Sequence, residues 1–260
     1  MLRVANQLLN HCHNLTACLL EVATEKSESE STLLSSSLPH LRFLSLKASS
    51  TGCNHIFHYI DAPSLQILDC QGYFLDESKG SGLYDLLQRI NSLTTLAIDH
   101  EYLTMNHIFK CGTLIPSLKH LVLSRAHLLP VKLMSTLYEI KHQYSPDSAP
   151  TVLFPSLEIL EVYHLEGAID NLVLKFIIAR IDATKSNTCA SKLRKVLVQS
   201  QWTRQTDIVS GALAYARAAG IELELEFIKQ YDMDLPFDWS WSPSFDDIPG
   251  ASDNLSESWT

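Results

Sequence analysis

Three acids, Asp69, Asp99 and Glu161, fall at alternating positions of short apolar segments, a spacing that would set them in a row on one face of a sheet. Such a row has two readings. It would share a proton in general acid–base chemistry, or it would present a negatively charged surface to a basic partner. Histidine and cysteine clusters raise metal chemistry: His107 and Cys111 stand four apart, and Cys53, His55 and His58 lie close together. Zinc needs four such ligands converging, commonly as two close pairs, and each cluster here belongs to a different stretch of chain. They read as core thiols and surface imidazoles, with no metal and no cofactor expected. The sequence has no Gly-x-Ser-x-Gly, no phosphate-cradling glycine loop and no His-Glu-x-x-His. No catalytic residue is expected.

The 260 residues carry 29 acids against 20 lysines and arginines, a formal net charge of −9, with 46% hydrophobic and 19% charged residues. That composition excludes a fully disordered chain and allows one large domain or two small ones. The acidity is local. Residues 232–260 hold seven acids and no base, whereas residues 1–231 hold 22 acids and 20 bases. A near-neutral body without a basic patch argues against nucleic acid as a partner. Met1 to Leu20 is too polar for a signal-peptide core, and no stretch approaches the roughly 18 apolar residues of a spanning helix, so no membrane partner is expected. Six scattered cysteines without a paired framework read as reduced thiols, which implies a cytoplasmic or nuclear location.

A repeat positions the acids. Leu-x-x-Leu-x-Leu, with apolar substitutions, begins at Leu15, Leu41, Leu65, Leu93, Leu118, Leu157 and Leu193, and a worn eighth copy ends at Leu223 and Leu225. Four copies follow a Pro-x-Leu lead-in, at Pro39, Pro63, Pro116 and Pro155, where a missing N–H does little harm before a strand. The first leucines are 26, 24, 28, 25, 39 and 36 residues apart. The first four spacings suit leucine-rich repeats of about 20–29 residues. The longer ones imply insertions, placed at Gln143 to Phe154 and around Ala183 to Ala190. Helical faces lie between the strands: Leu83, Leu86, Leu87 and Ile90; Leu133, Leu137 and Ile140; Ile169, Leu172, Val173, Phe176 and Ile177; and Thr206 to Ala219, stopped by Gly220. The fold class expected is α/β, a leucine-rich-repeat solenoid with a parallel concave sheet and convex helices, about seven to eight repeats over residues 1–231. The usual Asn or Cys of each repeat is missing, so these are irregular copies without a side-chain ladder. Residues 232–260 form an acidic, aromatic tail, expected to cap the solenoid as far as Phe245 and to be disordered beyond. Glu25 to Ser37 is expected to be a long loop.

The motif Pro-x-Leu-x-x-Leu-x-Leu at irregular spacing resembles the repeat region of the fungal F-box-like proteins. Asp61-Ala-Pro63-Ser-Leu65-Gln-Ile-Leu68 is similar to a phrase common there, and Leu193 to Leu223 resembles the closing strand, helix, glycine, strand run of that family. The resemblance covers about residues 13–230. It implies target recognition by the repeats and, where a head is present, docking on the Skp adaptor of a cullin ubiquitin ligase. No Leu-Pro-x-Glu-like F-box start is seen. Leu2 to His13 read instead as the last helix of a preceding repeat, which leaves the adaptor and cullin as conditional partners.

Alternation then names the candidate partner-binding residues on the concave face: Phe43, Ser45, Ile67, Asp69, Asp99, His120, Val122, Ile159, Glu161, Tyr163, Lys195 and Leu197. Phe43, Ile67, Val122, Ile159 and Leu197 are expected to form an exposed apolar stripe flanked by acids, as protein interaction sites do. The competing expectation is that inserts or the tail bury part of it. The function expected is a protein-binding module without catalysis of its own. A scaffold unconnected to ubiquitin is the alternative, and an enzyme using the concave carboxylates a third.

Overall fold

Each apolar phrase folds as one strand of a single open sheet. The computed structural model describes residues 9–22, 35–48, 55–72, 82–99, 105–124, 153–165, 170–185, 191–200 and 208–227. The sheet holds β1 (Ala17–Val22), β3 (Phe43–Ala48), β5 (Ile67–Gly72), β6 (Thr95–Asp99), β7 (His120–Ser124), β8 (Ile159–Leu165), β9 (Lys195–Ser200) and β10 (Glu222–Phe227). These eight strands are all parallel and lie side by side in chain order. The eighth, worn copy is therefore a full strand. A two-residue pair, β2 (Ser36–Ser37) with β4 (Ile60–Asp61), forms a second small sheet. This corrects the expectation of a loop through Ser37: Leu38 N–H donates to Asp61 O at 2.8 Å and ties the end of that segment down.

Parallel neighbours need crossovers, and among the described residues helices lie in five of the seven connections. These are α1 (Ile56–Tyr59), α2 (Gly82–Arg89), α3 (Met105–Leu114), α4 (Asp170–Lys185) and α5 (Ile208–Ala218). Leu83, Leu86, Leu87 and Ile90 are buried as their spacing requires. Gly220 ends the chain turn after α5 at φ 70°, with Gly220 N–H on Arg217 O and Ile221 N–H on Ala216 O. That is the left-handed stop expected of glycine. The segment read as an insertion around Ala183 is in part helix, since α4 runs 16 residues to Lys185; helix length absorbs much of the 36-residue spacing. The faces proposed at Leu133 to Ile140, the Gln143 insertion before Leu153 and the tail lie outside the described residues.

Register sends the fourth residue of every phrase to the helix side. Leu44, Leu68, Leu96, Leu121, Leu160 and Val196 form one fully buried row, continuous with the helix residues Phe57, Leu86, Ile108 and Phe176. Each such side chain contributes roughly 1.5–3 kcal/mol by leaving water. The row is held by a backbone device. The carbonyl of the second residue of one phrase accepts two N–H groups from the next: Thr16 O from Arg42 and Phe43, Arg42 O from Gln66 and Ile67, Gln66 O from Thr94 and Thr95, Thr94 O from Lys119 and His120. The series continues through Lys119 O and Glu158 O to Arg194 O, which accepts from Glu222.

The Pro-x-Leu lead-ins are turns. Leu41, Leu65, Leu118 and Leu157 donate to Leu38, Ala62, Ile115 and Phe154 at 3.0–3.1 Å, so proline occupies the second position of a four-residue turn. Its fixed φ suits that place and its missing N–H is not needed there. Gly72, at φ 103°, has no room for a Cβ, because the Ala48 carbonyl fills that space.

Two arginines knit the connections. Arg89, in the last turn of α2, donates to Phe57 O (2.6 Å), Ile60 O (2.9 Å) and His58 O (3.2 Å), satisfying the carbonyl end of α1. Arg180 in α4 donates to Leu157 O (2.9 Å) and Phe154 O (3.2 Å), with longer approaches to Pro155 O and Ser191 O. Arg180 is 1% exposed. Arg180→Met should therefore cost about 2–4 kcal/mol in urea unfolding, since it orphans buried carbonyls. Gly72→Ala should cost about 1–3 kcal/mol from strained backbone and displaced Ala48. Loss under about 0.5 kcal/mol in both would contradict these roles.

Candidate functional site

The face away from the helices carries the third, fifth and seventh residues of every phrase. One row reads Ala17, Phe43, Ile67, Thr95, His120, Ile159, Lys195 and Glu222. The next reads Leu19, Ser45, Asp69, Ala97, Val122, Glu161, Leu197 and Glu224. The sheet thus brings all twelve residues named from the sequence to one face, with Asp99 and Tyr163 along the seventh positions.

The apolar stripe is not exposed as expected. Phe43, Ile67 and Val122 are buried, and only Ile159 and Leu197 keep partial exposure. The reason is lateral packing. Phe43 and Ile67, on adjacent strands, form a small cluster with Ala17, and Val122 sits between Ala97 and Glu161. Side chains on strands about 4.8 Å apart cover one another. Among the described residues, the exposed large apolar side chain on this face is Leu19, at 66%.

The acids fall into three settings. Asp69 is 2% exposed; Ser45 Oγ–H donates to its Oδ2 at 2.7 Å and Gln71 Nε2 at 2.9 Å, while Oδ1 has no hydrogen-bond partner among the described residues. Burial pushes its pKa up to about 6; the Ser45 and Gln71 hydrogen bonds restrain the rise and neighbouring Asp99 adds to it. Asp99 is equally buried, paired in register with Gln71 and Ser124. Glu161 is different. Burial would raise its pKa, but the approach of His120 (Nε2 to Oε1 3.4 Å), the Tyr163 hydroxyl donating at 2.8 Å and the charge of Lys195 outweigh it, so the carboxyl is held below its usual range. Burial and then Glu161 raise the Tyr163 hydroxyl pKa.

The third setting is the edge strand β10. Glu222, Glu224 and Glu226 are exposed on this face. Lys195 Nζ lies 3.2 Å from Glu224 and 4.0 Å from Glu222, and Gln199 Nε2 donates to Glu226 at 3.1 Å. Burial alone would lower the Lys195 pKa, but Glu224 and its neighbours raise it. Sequence reasoning misses these glutamates, because the eighth repeat reads as worn. The strict alternation Glu222-Leu223-Glu224-Leu225-Glu226 is the available signal. Counting all three rows, seven carboxylates face two lysines, Lys47 and Lys195.

Among the described residues the thiols and imidazoles do not converge. Among the described residues, no three His, Cys, Asp or Glu are grouped to hold a metal ion. His58 Nδ1 pairs with Asp85 at 2.8 Å, Cys111 is a buried free thiol raised to about 12 by burial, and Cys53 lies outside the described residues. Also among the described residues, no helix is long and apolar enough to cross a membrane. In comparisons with protein-family models, curated proteins and solved structures, none matches this chain.

The Asp69 setting predicts a pH signature. A carboxyl raised from about 4 unfolded to about 6 folded favours folding while protonated, and that contribution is lost as pH rises from 4 through 6. Asp69→Asn should thus be more stable than the parent by on the order of 2 kcal/mol at pH 8 and equal to it near pH 3. Urea unfolding across that range reads the difference, and a pH-independent difference would refute the assignment.

Proposed function

We propose that the chain is a leucine-rich-repeat solenoid acting as a protein-recognition module, and that its partner binds over β8, β9 and β10. The observation that carries this reading is the edge patch. Half-exposed Ile159 and Leu197 lie beside the exposed row Glu222, Glu224 and Glu226, with Lys195 between them. Apolar seats rimmed by charge suit a protein surface, and the sign favours a partner segment bearing lysine or arginine. The glutamates have a structural use too: charge along an edge strand discourages unwanted strand pairing.

Presentation of that partner for ubiquitination rests on the resemblance to fungal F-box-like repeats, and a scaffold without ligase contact is the other reading of the same patch. The catalytic reading draws support from Asp69, whose pKa of about 6 is apt for proton transfer. Its burial at 2% exposure and its engagement by Ser45 and Gln71 favour a structural carboxyl instead.

Affinity capture from native lysate, quantified against the triple variant Glu222→Lys, Glu224→Lys, Glu226→Lys, tests the module. The parent is expected to retain a salt-sensitive partner that the variant loses at least tenfold, with both melting alike by circular dichroism. Equal recovery by a folded variant would overturn the patch. A Skp adaptor and cullin among the captured proteins would support the ligase role, and specific partners without them the scaffold.

A further inference from the structure

The helix side of the molecule carries a second feature, unrelated to the acidic patch. Between α4, α5 and the residues leading into β9 and β10 lies a cleft of about 370 Å³. Ile181, Leu193, Tyr215 and Ile221 supply apolar wall, and the other lining side chains include Arg180, Lys185 and Lys192. Among the described residues, no carboxylate lines it. Its volume and largely apolar lining with a few charged groups match small-molecule sites.

The charge balance points to the ligand. Arg180 is almost wholly buried, and its guanidinium donates to neutral backbone carbonyls. Its Nε–H has no acceptor among the described residues. Burial lowers its pKa to about 10, and among the described residues no carboxylate acts to restore it. A buried cation without an anion is costly. Two exposed ammonium groups add to it: Lys192, whose Nζ lies over the Gly220 turn, and Lys185, in the last turn of α4. The carboxyl ends of α4 and α5 offset part of this, but two helix ends supply only about one negative charge against the three cations among the described lining residues. Tyr215, 38% exposed at the rim, offers a ring for an apolar body to pack on.

We propose that this cleft binds a small organic acid, a single carboxylate carried on an apolar body. The apolar portion lies against Ile181, Leu193, Tyr215 and Ile221. The carboxylate pairs with Lys192 and Lys185 in the field of Arg180. Uncharged analogues lack the pairing, and inorganic anions lack the apolar contact, so neither is retained as well.

Isothermal titration of the full chain with phenylbutyrate, against phenylbutyramide and against acetate, tests the assignment. The expected result is saturable one-to-one binding of phenylbutyrate, at least tenfold weaker binding of the amide, and none of acetate. Lys185→Glu with Lys192→Glu should weaken phenylbutyrate at least tenfold. Ala218→Phe, which fills the cleft from an exposed position of α5, should abolish binding with an unchanged circular-dichroism melt. No saturable binding by the parent, equal affinity for acid and amide, or a folded Ala218→Phe that still binds would each overturn the proposal. Capture by the edge patch is read separately and does not enter this result.

Discussion

One shared carbonyl per phrase sets the register on which the eight-stranded sheet depends. The second residue of each phrase accepts two N–H groups from the next phrase, from Thr16 through Glu158, and Arg194 closes the run by accepting from Glu222. A doubly used acceptor leaves the following strand no freedom to slide. Since successive side chains alternate, a slip of one residue would carry Leu44, Leu68 and Leu121 out of the core and bring Ser45, Asp69 and Val122 into it. The hydrophobic row and the polar rows are thus two consequences of one register.

Side-chain ladders often reinforce such stacks, and the expected Asn or Cys positions here hold other residues. Arginine takes over part of the work. Arg89 and Arg180 each reach back from a helix to carbonyls of an earlier connection, so the helix layer and the turns before the strands are bonded to one another. Serine adds smaller ties, as where the Ser92 hydroxyl donates to Pro63 O and Leu65 O. Guanidinium suits this task because its five N–H donors span several acceptors at once. The same choice leaves Arg180 as a buried cation whose partners among the described residues are neutral carbonyls, beside the α4–α5 cleft.

Much of this was legible in the residues. The leucine phrases placed seven of the eight strands of the large sheet and hinted at the last, the Pro-x-Leu lead-ins marked the approach to four of them, and the spacing of Leu83, Leu86, Leu87 and Ile90 marked α2. Burial on the far face was not legible, because alternation says which way a side chain points and not what its neighbours cover. Phe43 and Ile67 point away from the helices as expected, yet they bury each other. The arginine struts escape for a related reason: their partners are backbone carbonyls, which leave no trace in a side-chain pattern. The edge glutamates are visible as an alternation, but the loss of the leading leucine in their repeat hides the strand that presents them.

The far face is graded rather than uniform. Its middle holds buried groups around Asp69 and Val122, and its β10 margin holds exposed carboxylates. A recognition role sits more naturally at that margin than at the centre. All of it depends on strands lying in chain order at one register. Cross-strand backbone nuclear Overhauser effects on isotope-labelled full-length protein measure this directly. Contacts are expected to link Leu44 to Leu68, Leu96 to Leu121 and Leu160 to Val196. Contacts offset by one residue, or joining strands that are not consecutive, would contradict that register.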